Sequence, residues 1–287
     1  ISNKFDLNYL RIYTFLVYIR TIMPKDSIDT IYNQLSFDRK KADSIGTLFK
    51  KIKSGNEFEV MFYNYKSDKS NLLSMENFLT ILEYLKKRST VKKELIEETT
   101  TLDISYGEEL TNYRISVSGI DSIENYLSFV HRRKNHVIFK ILLGKMLAGD
   151  KTITLIKKVK DMDNIVDIDE YNTRFRLSDE LEVTNKELDK LKELDETSRH
   201  KIVFRYKQRV TLFVKKTKNE VFRIDLTNIK QHHDVYKIDT SASRYELELD
   251  LSTNGKLESN ITDIYREVEI MHKIIQQSNF IINSIQE

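Results

Sequence analysis

Two short stretches that alternate acidic and apolar residues carry the side chains best suited to chemistry. The first is NEFEVMF, with Glu57 and Glu59, and the second is YELELDL, with Glu246, Glu248 and Asp250. Side chains alternate between the two faces of a β-strand, so the acids of each stretch share one face. Grouped carboxylates suit a hard cation such as Mg²⁺ or Mn²⁺, which prefers oxygen ligands. The alternative is an amphipathic strand whose acids lie in water.

Other segments place basic residues on one strand face and apolar residues on the opposite face. In RYKQRVTLF the alternation groups Arg205, Lys207 and Arg209, while Tyr206 and Val210 lie on the other side. Arginine and lysine gathered on one face favour a polyanion, most simply phosphate. The same parity places these further polar residues on charged faces: Arg114, Arg174, Arg176, Arg223, Asp225 and Thr227.

Composition excludes several classes of site. The chain has 287 residues and no cysteine, so it has neither a disulfide framework nor a thiolate metal site. Charged residues make up 32% of the chain but the net charge is only +3, so overall charge predicts no partner. The longest apolar stretch, YLRIYTFLVYIRTIM, contains Arg11 and Arg20, and we expect no membrane segment.

Helices are predicted where apolar residues recur at helical spacing. The segment 71–88 is the clearest amphipathic example, and Ser54-Gly55 ends the helix before the first acidic strand. Asp121 is the expected N-cap of a later helix, with Glu124 three residues on. The predicted helices are 7–23, 27–35, 38–53, 71–88, 121–131 and 260–285.

Two segments stay open at this point. Residues 136–147 are apolar and fit either a helix or a strand, and residues 184–200 read as a surface helix or a mobile insert. Gly107 suits the turn of a hairpin. The predicted strands are 57–63, 97–106, 112–118, 151–159, 172–178, 202–214, 220–229 and 244–251.

These elements predict an α+β fold in which an antiparallel sheet closes on itself. The apolar strand faces need cover, which the amphipathic helices can supply from outside. The charged faces would then line a wet tunnel, with carboxylates on one wall and cations on the others. An open sheet with its charged face in solvent is the competing interpretation.

At RYKQRVTLF, FRIDLTNIK, YELELDL, NEFEV and YRISV the chain resembles the triphosphate tunnel metalloenzymes. The resemblance is strongest to metal-dependent RNA triphosphatases of mRNA capping enzymes, particularly those of the mimivirus type. It spans about residues 39–280, leaving 1–38 as an N-terminal helical extension to a triphosphatase domain at 39–287. Residues 184–200 also have no counterpart that we can place in that family.

The resemblance implies a closed eight-stranded antiparallel β-barrel that binds Mg²⁺ or Mn²⁺. The metal ligands it implies are Glu57, Glu59, Glu246 and Glu248, whereas Asp250 stands where many members have a third glutamate. The implied phosphate-binding residues are Arg114, Arg176, Arg205, Lys207, Arg209 and Arg223, with Asp225 in the Arg-x-acid-x-Thr pattern of the family.

The implied activity is hydrolysis of the γ-phosphate of 5′-triphosphate RNA, which leaves a 5′-diphosphate end. Asp225, Glu180 and Asp250 are candidate general bases. Guanylyltransferase and methyltransferase domains are the implied partners, in the cytoplasm, viral factory or virion of a large DNA virus. Hydrolysis of tripolyphosphate or nucleoside triphosphates is an alternative, and so is non-catalytic binding of polyphosphate or RNA ends.

Overall fold

The computed structural model describes residues 39–62, 73–108, 111–130, 133–159 and 162–286, all within one compact unit, Phe37–Glu287. The predicted helices at 7–23 and 27–35, and the proposed extension 1–38, lie outside the described residues. The α-helices within these ranges are α1 (Arg39–Lys50), α2 (Met75–Lys92), α3 (Ile120–Phe129), α4 (Asn135–Leu147), α5 (Asn185–Lys192) and α6 (Ile261–Gln286).

Nine strands form one antiparallel sheet in the described part of the chain. They are β1 (Asn56–Phe62), β2 (Ile96–Glu108), β3 (Thr111–Ser118), β4 (Ile153–Val159), β5 (Ile165–Ile168), β6 (Thr173–Leu181), β7 (Ile202–Lys216), β8 (Glu220–His232) and β9 (Ser243–Thr253). The order is β1-β9-β8-β7-β2-β3-β4-β6, and β6 pairs again with β1. Eight strands therefore close into a barrel, as predicted.

The short strand β5 completes the barrel wall where β4 is short. One edge of β6 pairs with β1, whereas its other edge pairs with β4 at Asp179–Leu181 and with β5 at Thr173–Arg176. The sequence analysis missed this strand of four residues.

Apolar side chains on the outer face of the barrel are covered by helices. Phe49 of α1 meets the Phe58 ring edge-on, with 5.7 Å between ring centroids, and Phe175 of β6 packs on Tyr265 of α6. Another part of the core lies between β2, β3 and β7 and helices α3 and α4, around fully buried Phe139 and Phe204. The charged strand faces consequently point into the barrel.

Several helices differ in detail from the prediction. Helix α2 begins after Ser74, whose side chain caps it together with Asn77, and it ends four residues later than predicted. Helix α3 begins after Gly119, whose φ of 90° favours glycine, so the prediction of Asp121 as the cap is wrong. The ambiguous segment 136–147 is helix α4.

The 184–200 segment belongs to the packed structure. It contains α5 and a 3₁₀ turn, and its Leu191 and Leu194 are buried against the core.

A buried ionic clamp (Arg88, Glu94 and Glu267) joins α2 to α6 outside the barrel. Arg88 donates to Glu94 at 2.7 and 3.0 Å and to both carboxylate oxygens of Glu267. Within the described ranges, no helix combines the length and apolar character needed to cross a membrane.

Candidate active site

The register between β1 and β9 brings three carboxylates together inside the barrel. Glu59 lies directly opposite Asp250, and Glu57 lies two residues earlier on the same face of β1. One carboxylate oxygen from each of these three residues lies within 4.8 Å of the others. We call Glu57, Glu59 and Asp250 the carboxylate cluster. All three side chains are largely buried, at 13%, 5% and 6% exposed.

One oxygen of the cluster lacks a partner. Arg223 donates to Asp250 Oδ2 at 2.8 Å, but the buried Oδ1 accepts no hydrogen bond from the part of the chain described. A buried carboxylate oxygen without a donor is costly in free energy. Three convergent oxygens of this chemistry fit a divalent cation, so the cluster could hold a metal ion.

Two cations contact the cluster from neighbouring strands. Lys158 Nζ lies 3.0 Å from Glu57 Oε2 and 2.6 Å from Glu59 Oε1, and Arg176 donates to Glu59 Oε2. Lys158 is therefore the tunnel-side residue of its strand. Its neighbour Lys157 points outward and pairs with Glu187 of α5.

Burial and mutual repulsion shift the pKa values of the carboxylates in the cluster. Burial raises the pKa of Asp250 well above its ordinary value, and Glu57 adds to the rise by repulsion. Burial and the charge of Glu57 likewise raise the pKa of Glu59. Glu57 behaves differently, because Lys158 and Arg223 outweigh the effect of burial and lower its pKa to about 2. The cluster therefore resists holding three negative charges without an added cation.

The basic face of β7 lines the tunnel as predicted by parity. Arg205 Nη2 lies 2.9 Å from Glu246, and Arg209 Nη1 lies 3.1 Å from Asp225. Lys207 is buried against Asp103, a carboxylate that the sequence analysis did not single out, although it alternates with Leu102 and Ile104 on β2. Burial lowers the pKa of Lys207.

The structure places the four predicted metal ligands at different heights along the tunnel. Glu248 lies two residues before Asp250 on β9, opposite Met61, and its oxygen is 4.0 Å from Arg209. Glu246 is a further step away and pairs with Arg205. Of the described carboxylates, only Asp250 joins Glu57 and Glu59 in the cluster.

Asp225 is fully buried and its oxygens are occupied. Oδ2 accepts from Arg223 at 3.0 Å and forms an ion pair with Arg209 Nη1 at 3.1 Å, and Oδ1 accepts from the Thr211 hydroxyl at 2.6 Å. Asp225 therefore aligns two arginines on adjacent strands.

Arg114 and Glu180 form a looser pair beside the cluster. Arg114 Nη2 lies 3.5 Å from Glu180 Oε1, and Lys158 Nζ lies 3.8 Å from the same oxygen. Burial and repulsion from Glu57 raise the pKa of Glu180. The Nε atoms of Arg114 and Arg205 are buried and donate to no described group. Unpaired donors on these walls suit an anion.

Comparisons with known proteins point to one kind of protein, although no family model matches the chain. The probable mRNA-capping enzyme of Acanthamoeba polyphaga mimivirus is 24% identical over 239 residues, which cover 81% of this chain. The chain spans only 19% of that relative's length.

Solved structures agree with this resemblance. The RNA triphosphatase domain of a trifunctional mimivirus mRNA capping enzyme aligns with a TM-score of 0.60 and 24% identity, over 84% of this chain and 100% of that chain. A triclinic structure of the mimivirus capping enzyme triphosphatase gives a TM-score of 0.64 and 23% identity, over 84% and 99%. The resemblance seen in the sequence is thus confirmed: this chain is similar to the mimivirus capping enzyme and has the fold of its triphosphatase domain.

Proposed function

We propose that this chain is a metal-dependent RNA 5′-triphosphatase of mRNA capping. It hydrolyses the γ-phosphate of 5′-triphosphate RNA. The observation that supports the proposal is that one tunnel holds both a buried acceptor without a described donor and buried donors without a described acceptor. Asp250 has a buried acceptor without a described donor, and Arg114 and Arg205 have buried donors without a described acceptor. A divalent cation would bind the carboxylate oxygen, and a phosphate chain bound to that cation would accept hydrogen bonds from the arginines.

Glu57, Glu59 and Asp250 would hold Mg²⁺ or Mn²⁺, with Glu248 next along β9. When bound, the ion would supply positive charge to a γ-phosphate oxygen and help to align the attacking water. Glu246 would contribute from further along the strand through Arg205, the residue it contacts.

The cations of the remaining walls would grip the phosphates. Phosphoryl transfer needs mainly positioning and charge stabilisation, which fixed arginines provide. Arg114 on β3 lies beside the carboxylate cluster, because its Nη2 is 3.5 Å from Glu180, whose Oε1 is 3.8 Å from Lys158. The residues proposed for this role are Arg114, Arg176, Arg205, Lys207, Arg209 and Arg223, with Asp225 aligning Arg209 and Arg223.

Glu180 is the proposed proton acceptor. Water attacks the γ-phosphorus and loses a proton to a Glu180 oxygen, while the bond from phosphorus to the β–γ bridging oxygen breaks. The products are inorganic phosphate and RNA with a 5′-diphosphate end. The Glu180 side chain is 34% exposed and lies beside the carboxylate cluster, which places it within reach of a water aligned there. Asp225 is less suited, since its oxygens already accept three hydrogen bonds or ion pairs.

A 5′-diphosphate end is the substrate of a guanylyltransferase. We therefore propose that this chain works beside guanylyltransferase and methyltransferase domains, at a cytoplasmic viral factory or in the virion. The mimivirus relative, described as trifunctional, supports this arrangement.

The test compares γ-phosphate release from triphosphate RNA, ATP and tripolyphosphate, each with Mg²⁺ or Mn²⁺ and with a chelator. We expect release from RNA that stops when the ion is removed. Rapid hydrolysis of tripolyphosphate with RNA untouched would transfer the assignment to a tripolyphosphatase. Binding of all three compounds without hydrolysis would indicate a non-catalytic module.

A further inference from the structure

The ammonium group of Lys158 lies on the carboxylates that would hold the metal. Its side chain is 15% exposed, and Nζ lies 3.0 Å from Glu57 and 2.6 Å from Glu59. The other oxygen of Glu57 accepts from Arg223 at 3.1 Å, and the other oxygen of Glu59 accepts from Arg176. All four oxygens of these two glutamates are therefore already occupied by cations.

A divalent ion bound to Glu57 and Glu59 would lie beside these cations, so repulsion between like charges favours the departure of one of them. Arg223 is held by a second and a third acid, with Asp225 at 3.0 Å and Asp250 at 2.8 Å. Arg176 donates through two nitrogens to one oxygen of Glu59. Both guanidinium groups are thus held through more than one nitrogen of a rigid planar fork.

Lys158 is the cation that can leave most easily. Its charge sits on one compact group at the end of a flexible chain, with three donors that can rotate. A third acid is already close, because Glu180 Oε1 lies 3.8 Å from Nζ and 34% of the Glu180 side chain is exposed. A small movement would exchange Glu57 and Glu59 for Glu180.

We propose that Lys158 is an exchangeable counter-ion of the metal site. It neutralises Glu57 and Glu59 until a divalent cation takes its place, and it then moves to Glu180. This inference rests on the metal site of the proposed function. Two consequences follow: Lys158 weakens metal binding by competing for the same oxygens, and it stabilises the protein before the ion arrives.

The experiment measures the dissociation constant of Mn²⁺ by calorimetry in the wild-type chain, in Lys158→Met and in Lys157→Met. In Lys158→Met the ion no longer has to break the hydrogen bonds that Lys158 donates to the two glutamates. Each such bond between charged groups changes the dissociation constant by roughly a factor of ten, so the variant should bind Mn²⁺ about tenfold or more tightly. Lys157→Met, altered at the adjacent residue that points outward to Glu187, should match the wild type.

Unchanged or weaker binding by Lys158→Met would overturn the inference and leave the metal site intact. A wild-type chain that binds no Mn²⁺ would instead overturn the metal site itself.

A second measurement needs no variant. In a crystal structure of the wild-type chain with Mn²⁺, Lys158 Nζ should have left Glu57 and Glu59 and should donate to Glu180. An ion bound to the carboxylate cluster with Lys158 still donating to both glutamates would contradict the exchange.

Discussion

The ionic clamp and the carboxylate cluster are both buried groups of acids and bases, yet they differ in how well their atoms are matched. In the clamp, one guanidinium lies between two carboxylates and donates to all four of their oxygens. In the cluster, three carboxylates crowd within 4.8 Å of one another, and Asp250 Oδ1 has no donor in the described ranges.

This difference separates a structural ion network from a binding site. A buried ion pair is tolerated when hydrogen bonds satisfy its lone pairs, and the clamp meets this condition between α2 and α6. The cluster does not, and it keeps a conflict that a bound cation would resolve. Mutations should therefore act in opposite ways on the two groups: stability depends on the clamp, and activity depends on the cluster.

The largest expected effect is on activity at the cluster. Glu57→Ala should lower phosphate release from triphosphate RNA by on the order of 10³-fold or more, because it removes a metal ligand. Circular dichroism should show an unchanged fold. Glu97→Ala is the matched control, since Glu97 is a half-exposed glutamate that lies outside the cluster and pairs with Lys216. Equal activity in Glu57→Ala and Glu97→Ala would exclude a metal site at Glu57.

The largest expected effect on stability is at the clamp. Arg88→Met leaves the carboxylates of Glu94 and Glu267 without their shared partner, which should lower the free energy of unfolding by roughly 3–5 kcal/mol. Denaturation in urea measures the change. Lys86→Met, which breaks a pair with Glu98 at the surface, should cost less than about 1 kcal/mol. A similar small loss in both variants would show that the clamp is not the stronger of the two.

The function of the basic face of β7 should depend on geometry as well as charge. Arg205→Lys keeps the charge but loses the planar fork, and it should lower the rate on the order of 10²-fold. Tyr206→Phe, on the outer face of the same strand, should change the rate little. A rate loss in Tyr206→Phe with none in Arg205→Lys would mean that the two faces of β7 have exchanged roles.

The smallest predicted effect is a gain in stability. Without metal, Asp250→Asn should raise the free energy of unfolding at pH 7 by about 1 kcal/mol, because it relieves repulsion at a buried acid. The folded pKa of Asp250 lies above the ordinary value of 3.8, so its ionisation destabilises the native state as the pH rises past 3.8. The gain should disappear in acid, and thermal melts from pH 3 to pH 7 would measure it. A variant less stable than the wild type at pH 7 would show that repulsion at Asp250 does not destabilise the native state.

Much of the fold could be predicted because the alternation of charged and apolar residues determines where the strands lie. Charged and apolar residues alternate in β1, β7, β8 and β9, and this pattern fixes both the strands and the face that each side chain occupies. Short or uniform segments gave less information. The four residues of β5 are too few to show a period, and the apolar segment of α4 has no polar face that would distinguish a helix from a strand.

The candidate site depends on register as well as on faces. Alternation places Glu246, Glu248 and Asp250 on one face, but it cannot say which of them lies beside Glu59. Pairing between β1 and β9 selects Asp250. Lys158 was equally hidden, because adjacent lysines occupy both faces of β4 and only the register with β6 shows which one enters the tunnel.

The most direct test of the account locates the metal itself. Crystals of the wild-type chain grown with Mn²⁺ should show an anomalous scattering peak within ligand distance of Glu57, Glu59 and Asp250. A peak beside Glu246 and Arg205 with none at the carboxylate cluster would contradict the account.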